Sequence, residues 1–290
     1  ALGFAVGFPV ETISPFVESM FSDGLFAGRA VPFVKPGHRA MTDYLRSWGA
    51  ECREFHPELY PTPHLFLARW IAYREFFARS VDAEGRAFRN VMISDVRDAT
   101  FQKPLFAKPA AALEFHCEAP SPRLGECPIN SRWIVDCLGP EEFEFLGPER
   151  ILCAGTVSGS LAGLRAYVET TTGLAQNLPS ERARSGADQT VHNHIFYRHL
   201  IAHSARCENF ERVATLHYVD GALLRADHRG RVVNPDGSIS EMAHQSDRHP
   251  RLAATIERVG EKRRARSAKI FRRPWRRLAN RLRRAVGKTP

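Results

Sequence analysis

Apolar residues along this chain fall into short runs broken by polar, glycine and proline positions, and the spacing within the runs switches between strand-like and helix-like. Leu2–Phe8 is an apolar run closed by Pro9. Ser14 and Pro15 then open a predicted helix whose Phe16, Val17, Met20 and Phe21 share one face. Ala30–Val34 reads as a second strand, His38–Trp48 as a helix stopped by Gly49, and Glu51–Phe55 as a third strand. His64–Ser80 has the pattern of a long amphipathic helix, and Asn90–Asp95 that of a buried strand ending in acids. This alternation predicts a parallel sheet in an α/β domain.

The second half is less regular. Leu113–His116 and Ile151–Ala154 read as strands, Leu161–Thr170 and Ala187–His203 as helices, and Ala214–His217 as a further short element. Asn234-Pro235-Asp236-Gly237 is a strong turn signal that predicts a hairpin. No internal repeat is present. The pattern predicts one domain over residues 1–257 and a tail of different character over 258–290.

Charge sharpens that division. The 290 residues carry 41 Lys and Arg against 32 Asp and Glu, a net of +9, which raises the question of an anionic partner. Residues 260–290 hold 13 of the bases and a single acid, Glu261, so the rest of the chain is slightly acidic. Within the tail, Phe271, Trp275, Leu278, Leu282 and Val286 fall on one stripe, with Pro274 placed to open a helix. A basic amphipathic helix of this kind predicts an anchor on an anionic membrane surface; a solvated tail or a nucleic-acid contact is the alternative. The apolar and charged fractions, 43% and 25%, exclude disordered, collagen-like and multi-span membrane classes. No apolar run nears the ~20 residues needed to span a bilayer, and Ala1–Val10 lacks the basic start of a signal peptide. The six cysteines show no Cys-x-x-Cys spacing and predict reduced, mostly buried thiols. A cytoplasmic protein, peripheral on the inner face of the membrane, is the expected setting.

Four segments carry candidate chemistry. Ile93-Ser94-Asp95-Val96-Arg97-Asp98 brings two carboxylates to the end of a buried strand, where α/β sheets bind ligands and where Mg²⁺ or Mn²⁺ finds oxygen donors. The plainer reading is that Asp95 caps a turn and Asp98 pairs with Arg97. Gly186-Ala187-Asp188-Gln189 begins a helix with an acid and an amide in its first turn, or is an ordinary helix cap. His244, in Glu241-Met242-Ala243-His244-Gln245-Ser246-Asp247-Arg248-His249-Pro250, offers an imidazole suited to borderline metals, or is simply a surface or core histidine. Cys153-Ala154-Gly155-Thr156-Val157-Ser158-Gly159-Ser160 reads as a strand running into a small-residue turn and then a helix; Ser158 and Gly159 would let a sugar or phosphate approach the backbone. Of histidines 192, 194, 199 and 203, only 199 and 203 have the i, i+4 spacing of a zinc helix, and they lack its neighbouring Glu.

Taken in order, a strand ending Asp-x-x-Asp and continuing Phe-Gln-x-Pro, a Ser-Gly segment, Gly-x-Asp-Gln-x-x-x-Asn and a late His-Gln resemble the metal-dependent GT-A-type glycosyltransferases. The likeness is to their glycogenin-like and bacterial polysaccharide-associated branches. The resemblance implies a GT-A-like, Rossmann-type mixed sheet flanked by helices. It implies that Asp95 and Asp98, with His244 as third ligand, hold Mn²⁺ or Mg²⁺ against the diphosphate of a UDP- or GDP-linked sugar. Asp188 and Gln189 would line the sugar and acceptor side, Asp188 as base, and Arg69 and Arg97 would meet phosphate or nucleotide. The acceptor would be a glycan or lipid-linked, with no nucleic acid involved. One departure is the spacing of the acids, three apart where the usual motif has two; both reach one ion only if the chain turns after Asp95. The rival class is a nucleic-acid-binding or nuclease-like protein using the basic tail, which the acidic body disfavours.

Overall fold

The computed structural model describes residues 1–22, 26, 28–59, 65–79, 88–179, 181–182 and 186–262. The first half runs β1 (Leu2–Phe4), α1 (Val10–Ser22), β2 (Val31–Val34), α2 (Arg39–Ser47), β3 (Arg53–Glu54), α3 (Leu65–Ala78) and β4 (Asn90–Ser94). β5 (Ala99–Phe101) and β6 (Leu113–Cys117) follow, then the helix pair α4 (Pro128–Leu138) and α5 (Pro140–Leu146). The remainder is β7 (Leu152–Ser160), α6 (Leu161–Asn177), α7 (Ala187–Tyr197), β8 (Ser204–Cys207), β9 (Val213–Thr215), β10 (Arg225–Ala226), β11 (Val232–Val233) and β12 (Met242–His244). Residues 250–262 are helical, and the basic stripe beyond them lies outside the described residues.

Seven strands form one sheet in the order β3-β2-β1-β4-β7-β6-β8. β1 to β4 are mutually parallel, β7 runs against both β4 and β6, and β8 is parallel to β6. The sheet is therefore mixed, as expected, with the parallel pairing read from the alternation holding over β1 to β4 and ending at β7. Helices flank it, an arrangement compatible with a Rossmann-type fold. β4 shows how each face is covered: Val91 and Ile93 enter a core with Trp70, Tyr73, Phe115, Tyr167 and Val191, while Met92 enters the opposite core with Ile13, Phe16, Met41 and Leu45. A smaller sheet, β5-β12-β9, adds Phe101, Val213 and Met242 to the second core.

Several local expectations change. α1 begins a turn before Pro15, and the Glu11 carbonyl, which an N–H at position 15 would have reached, accepts the Ser14 hydroxyl at 3.1 Å instead. α3 is not amphipathic over its middle: residues 67–73 are buried without interruption, because α6 and α7 cover the side that the sheet does not. α7 stops at Tyr197, and His199 and His203 lie beyond it at φ 53° and 59°. The 234–237 turn forms, but it does not join paired strands; the hairpin is β10–β11, closed around Asp227–Gly230. All six cysteines are free and four are buried. Among the described residues no helix is long and apolar enough to cross a membrane.

Candidate functional site

Asp95 stands one residue past the carboxyl end of β4, where the chain leaves the large sheet. Residues 96–98 bend, and Ala99 enters β5 of the small sheet. That bend overcomes the three-residue spacing of the acids by taking the second one off the line of the strand. β12 lies between β5 and β9, and its last residue, His244, is in register with Ala99, which sets the imidazole beside Asp98.

One ligand atom from each of Asp95, Asp98 and His244 lies within 4.8 Å of the other two, so the group could hold a metal ion. Each side chain is held from its far side. Arg69 Nη1 donates to Asp95 Oδ1 at 2.9 Å, Arg97 Nη2 donates to Asp98 Oδ2 at 3.1 Å, and Cys153 Sγ meets His244 Nδ1 at 3.3 Å. The inward atoms are Asp95 Oδ2, Asp98 Oδ1 and His244 Nε2, with the nitrogen 3.9 Å from the first oxygen and 3.3 Å from the second. Asp98 Oδ1 and His244 Nε2 are buried and face each other at 3.3 Å, with no further hydrogen-bond partner. Two buried atoms that satisfy only each other leave coordination capacity that a bound cation would use. Space is reserved too: a Cβ on Gly155 would lie 2.4 Å from His244 Cε1 and 2.8 Å from Asp95 Oδ2. Burial opposes charge on both Asp98 and His244, but His244 and Arg97 hold the Asp98 carboxyl well below the usual range. Cys153 and Asp98 likewise raise the imidazole above its ordinary value.

Arg69, nearly buried on α3, bridges two acids: its other arm donates to Asp188 Oδ2 at 2.9 Å. Its guanidinium is committed within the protein, whereas Arg97, 44% exposed, stands on the rim and also meets Asp247 at 3.4 Å. Gly186 is required at the start of α7, with φ 85° and a Cβ that would fall 2.1 Å from the Trp133 ring. Gln189 is docked on β7: Oε1 accepts from the Ala154 N–H at 2.9 Å, and Nε2 donates to Leu152 O at 2.8 Å. Asn193 completes the clamp, accepting from Leu152 N–H at 2.9 Å and donating to Leu152 O at 3.0 Å. The Asp-Gln-x-x-x-Asn spacing thus pins α7 to the strand that carries Cys153 and Gly155.

Ser158 and Gly159 are a correction. They belong to the continuous strand β7 between β4 and β6, so no turn opens there toward a sugar or phosphate. Ser158 is fully buried and donates to Glu114 Oε2 at 2.6 Å. A Cβ on Gly159 would sit 2.5 Å from the Ala112 carbonyl; the small residues serve close strand packing. The histidines of α7 are structural as well: His192 Nδ1 meets Tyr167 Oη at 2.7 Å, and His194 meets Glu142 at 2.8 Å.

Asp95 and His244 of this group line a cavity of about 650 Å³, together with Arg97, Gly155, Asp188 and Gln189, and also with Glu118, Trp133, Tyr218 and Arg248. Of the last four, Arg248 lies in the candidate segment around His244, and the other three are not among the residues singled out in the sequence. Glu118 had a usable signal: like Asp95, it is the acid one residue past a buried strand. Burial raises its carboxyl to about 7 against the influence of His244, Cys153, Gln189 and Arg248. Trp133 comes from α4 and Tyr218 from a loop, with no motif to mark them, and Arg248 from the short helical turn that follows His244. No protein-family model matches this chain, and no curated protein matches it in sequence.

Proposed function

We propose that this chain is a metal-dependent glycosyltransferase that moves a sugar from a nucleoside-diphosphate donor to a hydroxyl acceptor. The observation that carries the reading is the donor set of Asp95, Asp98 and His244, whose inward atoms converge at the carboxyl edge of an α/β sheet beside a substrate-sized cavity. Two carboxylates and one imidazole suit Mn²⁺, with Mg²⁺ the harder alternative. Such an ion, when bound, neutralises charge developing on a leaving diphosphate as a Lewis acid. Arg97, on the rim, adds positive charge where the phosphates would lie. Arg69 holds Asp95 and Asp188 in fixed relative positions, which orients the floor of the cleft. Trp133 and Tyr218 line the wall, where aromatic faces suit sugar rings.

The test is a thermal-shift panel of UDP and GDP with and without Mn²⁺. The expected result is stabilisation by one nucleotide that requires the metal and disappears in Asp98→Asn. Absence of metal-dependent stabilisation by any nucleoside diphosphate, together with salt-sensitive DNA binding, would favour the nucleic-acid reading instead. We further propose that residues 260–290 dock the protein on an anionic membrane beside a glycan or lipid-linked acceptor, on the strength of their charge and apolar stripe. Liposome flotation with and without that segment tests it; unchanged binding after its removal ends the idea.

A further inference from the structure

Inverting transfer needs a proton acceptor beside the incoming hydroxyl. Asp188 is poorly suited to that task. Its Oδ2 is paired with Arg69 at 2.9 Å and its Oδ1 accepts the Gln189 N–H at 2.9 Å, so both oxygens are engaged, one with a permanent cation. Glu118 is placed differently. β4 and β6 both run against β7, so their carboxyl ends lie at the same edge of the sheet, and Glu118 follows β6 as Asp95 follows β4. It lines the same cavity as Asp95, Asp188 and His244.

Among the described residues, the hydrogen bonds that reach its carboxyl come from uncharged groups: Gln189 Nε2 at 3.4 Å from Oε1, and the Cys153 thiol. Gln189 is itself held by Leu152 O and the Ala154 N–H, so it fixes the carboxyl without neutralising it. The charged groups facing it are His244 from β12 and Arg248 from the segment after it, both acting at longer range.

We propose that Glu118 is the catalytic proton acceptor for the acceptor hydroxyl in an inverting transfer, an inference that rests on the glycosyltransferase reading. In that step the acceptor oxygen forms a bond to the anomeric carbon. The bond from that carbon to the diphosphate oxygen breaks, its electron pair leaving on the diphosphate, and the hydroxyl proton passes to the Glu118 carboxylate. Burial gives this group a proton affinity near neutrality, about 7, which suits a base working at physiological pH.

The test uses the full chain with Mn²⁺ and UDP- and GDP-linked hexoses, reading nucleoside-diphosphate release with water as acceptor, with and without azide. Glu118→Gln is expected to keep Mn²⁺-dependent stabilisation by the nucleotide while slowing release by about 10²–10⁴-fold, the usual contribution of a positioned base. Azide, already an anion, needs no base and restores release in the variant, giving a glycosyl azide of inverted configuration. Below pH 7 wild-type turnover falls as Glu118 takes up its proton. Release at the wild-type rate in Glu118→Gln, a product of retained configuration, or failure of azide to rescue with nucleotide binding intact would each overturn the proposal. A readout without turnover stands beside it: the carbon-13 carboxyl signal of Glu118, identified by its loss in Glu118→Gln, titrates near pH 7. Titration in the ordinary glutamate range overturns the proposal whatever the activity. Failure of the wild-type chain to bind any nucleoside diphosphate with metal would instead remove the glycosyltransferase reading, so the two failures are distinct.

Discussion

Two clusters in this molecule draw on the same residue types and do opposite things. In the cleft, Asp95, Asp98 and His244 are each held by a neighbour on one side and turn the other side toward one another, with Asp95 and His244 lining a cavity. Under the sheet, Glu114, His116, Ser158, Arg212 and Glu241 also assemble acids, a histidine, a hydroxyl and a cation. There His116 Nε2 meets Ser158 Oγ at 3.0 Å, while Glu114 Oε2 takes both the Ser158 hydroxyl at 2.6 Å and Arg212 Nε at 2.9 Å. Glu114 Oε1 accepts the Ala111 N–H at 2.9 Å, and Arg212 reaches on to Glu241 at 2.6 Å. By composition this second cluster suggests a nucleophilic triad. Its acid serves the serine and the arginine, however, its hydroxyl has no exposure, and its carboxylate is filled on both oxygens. It ties β6 and β7 to the small sheet. The lesson is that reactive side chains become a site only where an unfilled donor set meets open space.

The strongest way to break the comparison is at the ligands. If the proposed metal-dependent transfer is correct, Asp98→Asn or His244→Ala should abolish metal-induced stabilisation and lower that transfer by about 10³-fold or more, since a Lewis-acid contribution is worth several kcal/mol. Circular dichroism should show an unchanged fold, and full activity in the presence of chelator would erase the distinction between the clusters. The opposite behaviour is expected at Arg212→Ala. Removing the cation leaves Glu114 and Glu241 buried without their partner, a loss of about 3–5 kcal/mol by chemical denaturation. Protein that remains folded should bind metal as before.

A third measurement follows stability with pH. His116 and His192 are held neutral by burial, at about 4 and about 3, below the ordinary histidine value. Between pH 6.5 and 4 the unfolded chain therefore binds protons that the folded chain refuses, and stability falls as pH falls through that window. Every tenfold difference in proton affinity between the folded and unfolded chain is worth about 1.4 kcal/mol, so the fall is large enough to follow by denaturation. Glu118, raised to about 7, works in the other direction, because its charged form is disfavoured as pH rises toward neutrality. Melts from pH 7.5 to 4.5 should thus show a steeper fall in Glu118→Gln than in wild type; parallel curves would deny Glu118 its raised value. The smallest expected effect is at Cys153→Ala, which frees the His244 ring at Nδ1 and should weaken metal affinity about 10–100-fold, measured by calorimetry.

Parts of this arrangement are legible along the chain. The first four strands of the large sheet and the intervening helices follow from apolar spacing and from Gly49 and Pro9 as stops. Asp95 and Asp98 stand out as acids at the end of a buried run. α4 and α5 also had markers, with Pro128 and Pro140 at first helical positions and Gly139 between them, although Val135 and Phe145 stay exposed and blur the apolar face. α3 misleads because its middle, residues 67–73, is covered on all sides and loses the polar face that amphipathic spacing assumes.

The sequence by itself determined the α/β alternation, the acids at the end of β4 and the separation of a slightly acidic body from a strongly basic tail. Those features depend on local periodicity and on counting, which need no knowledge of distant partners. Tertiary structure alone decided that Ser158 and Gly159 lie inside a strand, that Arg69 is spent on two carboxylates, and that His244 meets Asp98. It also decided that Glu118 shares their cavity. Sheet pairing joins residues far apart in the chain, and which oxygen is left without a partner depends on all of those neighbours together.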